Sequence, residues 1–189
     1  MLSVAAVVVG VAVVSQLMGP DNTVPTTGPD GHSYDMQKLP NREEAVKLMA
    51  KIRANLTKLR DSYADEPALM NDPPVSRFVA RYQPDVFSEN SMHSADTSYS
   101  ENKGQRIVVC LRDKTKAPEY PLIELNTIMF VMLHEMAHLM TETIGHTPEF
   151  WLNFKRILHD AVKVGIYTPV NYSRQPTPYC GMTITDSPL

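Results

Sequence analysis

The residues with the clearest chemical potential are two histidines and a glutamate in the stretch His134-Glu135-Met136-Ala137-His138. On an α-helix, residues four apart lie on one face a turn apart, so His134 and His138 can bind the same metal ion. Neutral imidazole is a good zinc ligand, and zinc lowers the pKa of a bound water to about 7. Glu135 can accept the proton of that water and later pass it to a leaving amine. The pattern predicts zinc-assisted hydrolysis with Glu135 as the general base.

Two histidines on a helix can also serve packing alone. Here they lie in residues 122–140, a segment without Pro or Gly that is made largely of Leu, Ile, Met, Phe and Val. A helix of this composition is expected to be buried on all sides. Two His and one Glu without a ligand would place unpaired polar groups in that core, at a cost of a few kcal/mol. The context therefore favours a metal site.

A third ligand is expected because a catalytic zinc usually has three protein ligands and one open position. We predict that His146 is this ligand. Gly145 allows the chain to reverse after the helix. Thr147 can cap a new helix that has Pro148 in its first turn. His146 is thereby held at a fixed junction between two helices.

Three other side chains are alternatives for the third ligand. Glu142 would serve only if the first helix continued for another turn. Glu149 is better suited to the first turn of the second helix, where a negative charge is stabilised. His159 lies further along that helix and is typical of a surface or packing residue. We therefore retain His146.

Length and charge set the broad class of the protein. The chain has 189 residues, a formal net charge of −3 and a pI near 6.1. This length suits one domain with extra segments. There is no basic field, so nucleic-acid binding is not expected. Cys110 and Cys180 are too few for a disulfide framework; they can pair, but we predict two independent, mostly buried thiols.

The first part of the chain differs from the rest. Residues 1–18 carry no charge and are dominated by Val and Ala, so we predict a single transmembrane anchor over residues 1–19. A cleaved signal peptide and a buried element are the alternatives. Residues 20–40 are rich in Pro, Gly, Thr, Asn and Asp and predict a flexible linker. The expected location is a membrane, host or virion, with the orientation open.

Residues 41–189 are expected to form the folded domain. Asn41 and Glu44 predict a capping box for a helix whose apolar positions run from Ala45 to Tyr63. A short helix is predicted at 75–82, a strand at 106–112, and its hairpin partner at 97–100. The predicted fold is α+β, with a small sheet, the active-site helix behind it and further packing helices.

The motif, followed by Gly145-His146-Thr147-Pro148-Glu149-Phe150-Trp151, resembles the WLM (Wss1-like) and SprT-like zincin metallopeptidases. The resemblance covers residues 106–165 and implies a minimal zincin-like domain with Zn²⁺ as cofactor. It implies that His134, His138 and His146 bind zinc and that Glu135 is the general base. Seven residues separate His138 from His146, somewhat more than in many WLM members.

The function expected from these observations is a zinc metallopeptidase that acts on a protein or peptide and is tethered to a membrane by residues 1–18. The alternative is a catalytically inert zincin-like structural or virion membrane protein. Glu135 argues against it, because a scaffold has no need of a base. A group that stabilises the oxyanion is also required. Tyr167, Tyr172, Arg174 and Tyr179 are candidates, but such residues typically cover a core edge, and none is assigned.

Overall fold

A five-stranded mixed sheet forms one layer of the protein, which is described here from a computed structural model that covers residues 22–189. The strands are β1 (Thr23–Thr27), β2 (Ser33–Gln37), β3 (Phe87–Glu89), β4 (Tyr99–Glu101) and β5 (Arg106–Val109), in the order β1-β2-β3-β5-β4. The outer pairs are antiparallel, and β3 runs parallel to both of its neighbours. Among residues 22–189, strand β4 therefore forms one edge of the sheet.

Helices form the second layer. They are α1 (Arg42–Ala64), α2 (Pro67–Met70), α3 (Pro73–Arg81), α4 (Leu125–Met140) and α5 (Pro148–Val164). A separate hairpin of β6 (Thr177–Tyr179) and β7 (Met182–Ile184) follows near the end of the chain. Helix α4 packs against α1, α3 and α5. The predicted α+β class is confirmed.

Helix α4 is the centre of the core, as its apolar sequence predicts. Its buried residues include Phe130, Leu133 and Met136, and they point in different directions around the helix. The helix begins at Leu125 and not at residue 122, because Leu122 forms a β-bridge with Arg112. The face that carries Val131, His134, Glu135 and His138 is only partly buried, so the predicted burial on all sides is wrong for the face that holds the histidines and the glutamate.

Helix α1 buries the predicted apolar face, including Met49, Ile52 and Leu56. The predicted capping box is wrong. Asn41 has a left-handed backbone with φ 58° and makes no side-chain hydrogen bond to the helix. A capping side chain requires an extended backbone at its own residue. Asn41 has a left-handed backbone instead, so it precedes α1 without capping it.

The flexible linker predicted for residues 20–40 is wrong over the part that the structure describes, residues 22–40. Strands β1 and β2 form an antiparallel hairpin that extends the sheet. Tyr34 and Met36 are buried at alternating positions of β2. Pro25 lies in the edge strand, where a missing N–H is tolerated. The Gly and Asp residues of this segment therefore encode a hairpin turn, not a linker.

Strand β3 was not predicted, because the sequence around it is polar. It lies between β2 and β5, and the burial of its acidic residue, Glu89, is possible because that residue is paired. The Nε atom of Arg112 lies 2.7 Å from Oε1 of Glu89, and both side chains are fully buried. The backbone N–H of Gln37 donates to the other carboxylate oxygen. A buried charge requires such partners. Gln37 and Glu89 are 52 positions apart, so local sequence does not reveal their contact.

Strands β4 and β5 form the predicted antiparallel hairpin, with shorter bounds than expected. The prediction of two independent thiols is wrong, since Cys110 and Cys180 form a disulfide. Cys110 directly follows β5, and Cys180 lies in the turn between β6 and β7. The disulfide therefore joins the C-terminal hairpin to the sheet, over a separation of 70 residues that sequence periodicity does not bridge.

The predicted membrane anchor at residues 1–19 lies outside the described residues. Within residues 22–189, no helix combines the length and the apolar composition that crossing a bilayer requires.

Candidate metal centre

The three predicted metal ligands come together at the end of α4. His134 and His138 are one turn apart on that helix, and His146 lies in the loop that leads to α5. The Nε2 atoms of His134 and His146 are 3.0 Å apart, and the candidate ligand atoms of all three histidines lie within 4.8 Å of one another. A tetrahedral zinc with Zn–N bonds of about 2.0–2.1 Å needs nitrogens about 3.3 Å apart. The three imidazoles are therefore close enough together to serve one zinc ion.

The electrostatics of the site favour a metal ligand over a proton. Burial, with contributions from the neighbouring histidines, lowers the pKa of His134 to about 3. Burial and the nearby His146 lower the pKa of His138 to about 4. Both imidazoles are neutral near pH 7 and keep a lone pair for a metal ion, because only a deprotonated nitrogen can coordinate.

Glu135 lies beside this cluster and faces the edge of the sheet. Its Oε2 atom accepts hydrogen bonds from the backbone N–H of Ser100 at 3.2 Å and from the Ser100 hydroxyl at 3.4 Å. Burial raises the pKa of Glu135 to about 7, against the opposing effect of these hydrogen bonds. A carboxylate with this pKa can take up and release a proton near neutral pH.

Ser100 was not identified from the sequence as a site residue. The predicted hairpin partner of β5 contained it, but a pattern of strand residues does not indicate which of them faces a helix. Only the packing of β4 against α4 brings Ser100 to Glu135.

The C-terminal end of α4 is held by cationic side chains that donate to its last carbonyl groups. These bonds run from Arg77 to Met140 at 2.7 Å, from Arg81 to Leu139 at 2.9 Å, and from Lys103 to Thr141 at 2.9 Å. The carbonyl groups at a helix end lack partners within the helix and carry partial negative charge. The three cations therefore fix the point at which the chain leaves α4 towards His146.

Gly104 allows Lys103 to reach the helix end. It lies in the turn between β4 and β5 with φ +102°, and a Cβ atom there would lie 2.4 Å from the carbonyl oxygen of Arg81. Only glycine fits this close approach.

The loop that carries His146 is built as the sequence predicts. Gly145 has φ 84°, which lets the chain turn back. The side chain of Thr147 caps α5 by accepting a hydrogen bond from the backbone N–H of Phe150, and Pro148 occupies the first turn. Gly165 ends the helix with φ 77°. His146 is thus fixed between two defined helix ends.

The alternatives for the third ligand have other roles. Glu149 accepts hydrogen bonds from the backbone N–H groups of Glu142 and Thr143 and pairs with Arg77 at 3.0 Å. It therefore ties the loop to α3. Glu142 lies 3.6 Å from Arg77 and its side chain is exposed, and His159 lines a separate groove with Tyr63. None of the three belongs to the cluster of candidate ligand atoms.

An aromatic side chain of α5 packs against two of the histidines. Phe150 is buried and stacks on His138 with ring centroids 4.3 Å apart. It also contacts His134 edge-on at 4.8 Å. Trp151 follows helical spacing but is 47% exposed, so it does not belong to the buried face of α5.

The tyrosines of the C-terminal segment are buried. Tyr172 packs on Phe130 with ring centroids 4.7 Å apart. The hydroxyl group of Tyr179 is hydrogen bonded to Ser98 Oγ at 2.5 Å and donates to the carbonyl group of Cys110 at 3.1 Å. Tyr172 and Tyr179 are therefore core residues, and no oxyanion-stabilising role is assigned to them.

Viral proteins are among the relatives of this chain. The uncharacterized protein R325 of Acanthamoeba polyphaga mimivirus is 29% identical over 159 residues, which cover 83% of this chain and 79% of R325. The uncharacterized protein 136R of Invertebrate iridescent virus 6 is 34% identical over 82 residues, or 43% of this chain and 45% of 136R. The uncharacterized protein 042R of Invertebrate iridescent virus 3 is 36% identical over 84 residues, or 44% and 50% of the two chains. This chain thus spans about half the length of each iridescent virus relative.

Among solved structures, Wss1 from Saccharomyces cerevisiae has a TM-score of 0.49 and 20% sequence identity, covering 75% of this chain and 95% of that chain.

The candidate site lies within a segment that matches a known domain. The WLM domain matches residues 99–175, a segment that contains β4, β5, α4 and α5. WLM is a zincin-like, zinc-dependent protease family. The segment of this chain that holds the three histidines and Glu135 is therefore a WLM domain match.

Proposed function

We propose that this protein is a zinc metallopeptidase in which His134, His138 and His146 bind zinc and Glu135 is the general base. The observation that carries the proposal is the convergence of three imidazole nitrogens within 4.8 Å next to a carboxylate held by the sheet edge. The match of residues 99–175 to the WLM domain supports the same function, and a protease family implies protein or peptide substrates.

The part played by Glu135 follows from its contacts. Both hydrogen bonds from Ser100 go to Oε2, so Oε1 is the oxygen that accepts a proton from the attacking water. The same group can then pass that proton to the leaving amine. When bound, zinc supplies Lewis-acid polarisation of the substrate carbonyl group and acidifies water.

The sheet would position both the general base, Glu135, and the substrate. Strand β4 is the edge strand next to Glu135. Extended peptides commonly bind by adding a strand to a sheet edge. A substrate lying along β4 would bring a peptide bond past Glu135 and the histidines.

Membrane tethering by residues 1–19 is the remaining part of the proposal. It is supported by the uncharged, Val- and Ala-rich composition of that segment, whose length is close to that of a membrane-spanning helix.

The proposal is tested with the full-length chain, purified in detergent and loaded with zinc. Cleavage of casein and self-cleavage are measured for the wild type and for Glu135→Gln, and bound zinc is quantified in both. We expect equal zinc content and a loss of cleavage of about 100-fold or more in the variant. Bound zinc without any cleavage that depends on Glu135 would favour the inert structural or virion protein.

A further inference from the structure

A cleft beside Glu135 has the C-terminal hairpin as one wall. Its volume is about 280 Å³. Helix α4 contributes Phe130, Val131, His134 and Glu135, and the opposite wall is formed by Met182, Ile184 and the residues that follow them. The cleft therefore adjoins the candidate catalytic base directly, and residues far apart in sequence build it.

The hairpin wall is held firmly in place. Cys180 and Gly181 form a two-residue turn with φ 50° and 87°, the turn geometry that matches the twist of a tight hairpin. Cys180 is bonded to Cys110 at the end of β5. Tyr179 is 1% exposed, and its hydroxyl group is hydrogen bonded to Ser98 and Cys110. These contacts hold the hairpin against the sheet beside β4 and β5, so the wall that it forms has a defined position.

Most of the surface that lines the cleft is apolar, although Thr97, Thr183 and Thr185 also line it. Phe130 and Val131 face it from α4, and Met182 and Ile184 face it from β7. Met182 is 49% exposed. An exposed apolar side chain indicates a binding surface when it belongs to an apolar patch, and Met182 lines the cleft together with Phe130, Val131 and Ile184. Asp186 is a second acidic residue of the lining, besides Glu135. The volume is just below the range of about 300–1,000 Å³ that is typical of small-molecule pockets, and it suits a single large side chain.

We propose that this cleft is the subsite that selects the substrate, by binding a large apolar side chain such as Leu, Met or Phe at a position that adjoins the scissile bond. Met182, Ile184 and Val131 are the specificity-determining residues. The inference rests on the proposed peptidase function. It gives the C-terminal hairpin a role in the reaction, because without β7 the cleft has only one wall.

Met182 offers the sharpest test, since it lines the cleft yet is exposed enough to be replaced without disturbing the core. The zinc-loaded full-length protein is incubated with a proteome-derived peptide library, and cleavage sites are read by mass spectrometry. The wild type should prefer Leu, Met and Phe at one position beside the scissile bond. Met182→Lys should reduce that preference by about 10-fold and favour Asp or Glu at the same position.

Leu152→Lys provides the matched control. Leu152 is 72% exposed on α5 and does not line the cleft. The change from an apolar to a cationic side chain at position 152 should leave the preference for Leu, Met and Phe beside the scissile bond as in the wild type. A shift of equal size in the control would overturn the inference, because it would then reflect overall charge.

A binding measurement provides a readout that does not depend on catalysis. Trp151 is the sole tryptophan of the chain and lines an adjoining cavity that shares Phe130 and His134 with the cleft. In the Glu135→Gln background, its fluorescence is titrated with two hexapeptides that differ only by Leu or Asp at one position. We expect the Leu peptide to bind at least about 5-fold more tightly, and Met182→Lys to remove the difference.

The outcomes separate the two proposals. Selective binding of the Leu peptide without cleavage by the wild type would contradict the peptidase function and leave the side-chain subsite supported. Cleavage that depends on Glu135 but shows no preference for apolar side chains would overturn the subsite alone. Equal binding of the two peptides, or no measurable binding of either, would also overturn the subsite.

Discussion

Ser100 and Glu135 join the edge of the sheet to the metal-binding helix. The backbone N–H and the hydroxyl group of Ser100 both donate to Oε2 of Glu135, at 3.2 Å and 3.4 Å. These two residues are 35 positions apart in the sequence, and their contact joins β4 to α4. The contact orients the proposed base, and it couples the strand on which a substrate would lie to the group that would act on it.

Replacing Ser100 by Ala should slow cleavage and raise the pKa of Glu135. The hydroxyl group stabilises the charged carboxylate, so its loss favours the protonated form. We expect kcat to fall by about 2- to 10-fold, the equivalent of one hydrogen bond of about 0.5–1.5 kcal/mol. The acid limb of the kcat/KM profile should move to higher pH. Ser76→Ala, which removes an exposed hydroxyl group on α3, is the control, and an unchanged acid limb would contradict the positioning role of Ser100.

Glu135 should also make the stability of the metal-free protein depend on pH. Burial raises the pKa of its carboxyl group from 4.5 to about 7 on folding, so the folded state holds a proton that the unfolded state has lost. This contribution is fully present below the unfolded pKa and is lost as the pH rises through about 7. The free energy of unfolding of Glu135→Gln, relative to wild type, should therefore increase between about pH 5 and pH 8. Urea unfolding in EDTA measures it; a difference that is independent of pH would refute the prediction.

His146→Ala should weaken zinc binding far more than Glu142→Ala. The nitrogen of His146 belongs to the cluster, whereas Glu142 has an exposed side chain near Arg77. Loss of a direct ligand should cost more than the roughly 10–100-fold that is typical of outer-shell changes. Competition with a chromophoric chelator measures both affinities. If Glu142→Ala caused the larger loss, the third ligand would have to be reassigned.

The local parts of the fold and site could be predicted, because short-range rules determine them. Thr147 and Pro148 begin α5 where the capping rules require, and the four-residue spacing of His134 and His138 needs only a helix. His146 joins them because Gly145 and Thr147 define a short loop. Each of these inferences spans only a few residues.

The parts that could not be predicted depend on distant contacts. Strand β3 contains Ser88 and Glu89, and the buried charge of Glu89 is compensated by Arg112. The turn residues before α1 are typical of a linker, yet they connect β1 to β2, whose other partner, β3, lies about 50 residues later in the sequence. The pairing of Cys110 with Cys180 and the contact of Ser100 with Glu135 arise from the same tertiary packing, for which one sequence has no local signal.

Loss of the disulfide should destabilise the protein. A native disulfide typically contributes about 2–4 kcal/mol, mainly by restricting the unfolded chain. Cys110→Ser combined with Cys180→Ser should lower the free energy of unfolding by that amount in urea titrations. Wild type treated with a reductant serves as the comparison and should match the double variant. Equal stability of the oxidised wild type and the variant would show that the hairpin is held by its other contacts alone.

Zinc-edge X-ray absorption of the purified full-length protein tests the central claim, that three histidines bind one zinc, most directly. For the wild type, we predict three imidazole nitrogens at about 2.0–2.1 Å, with the remaining coordination provided by a light atom. His146→Ala should show two imidazoles. Scattering from sulfur, or a wild-type site with two imidazoles that His146→Ala leaves unchanged, would contradict the account.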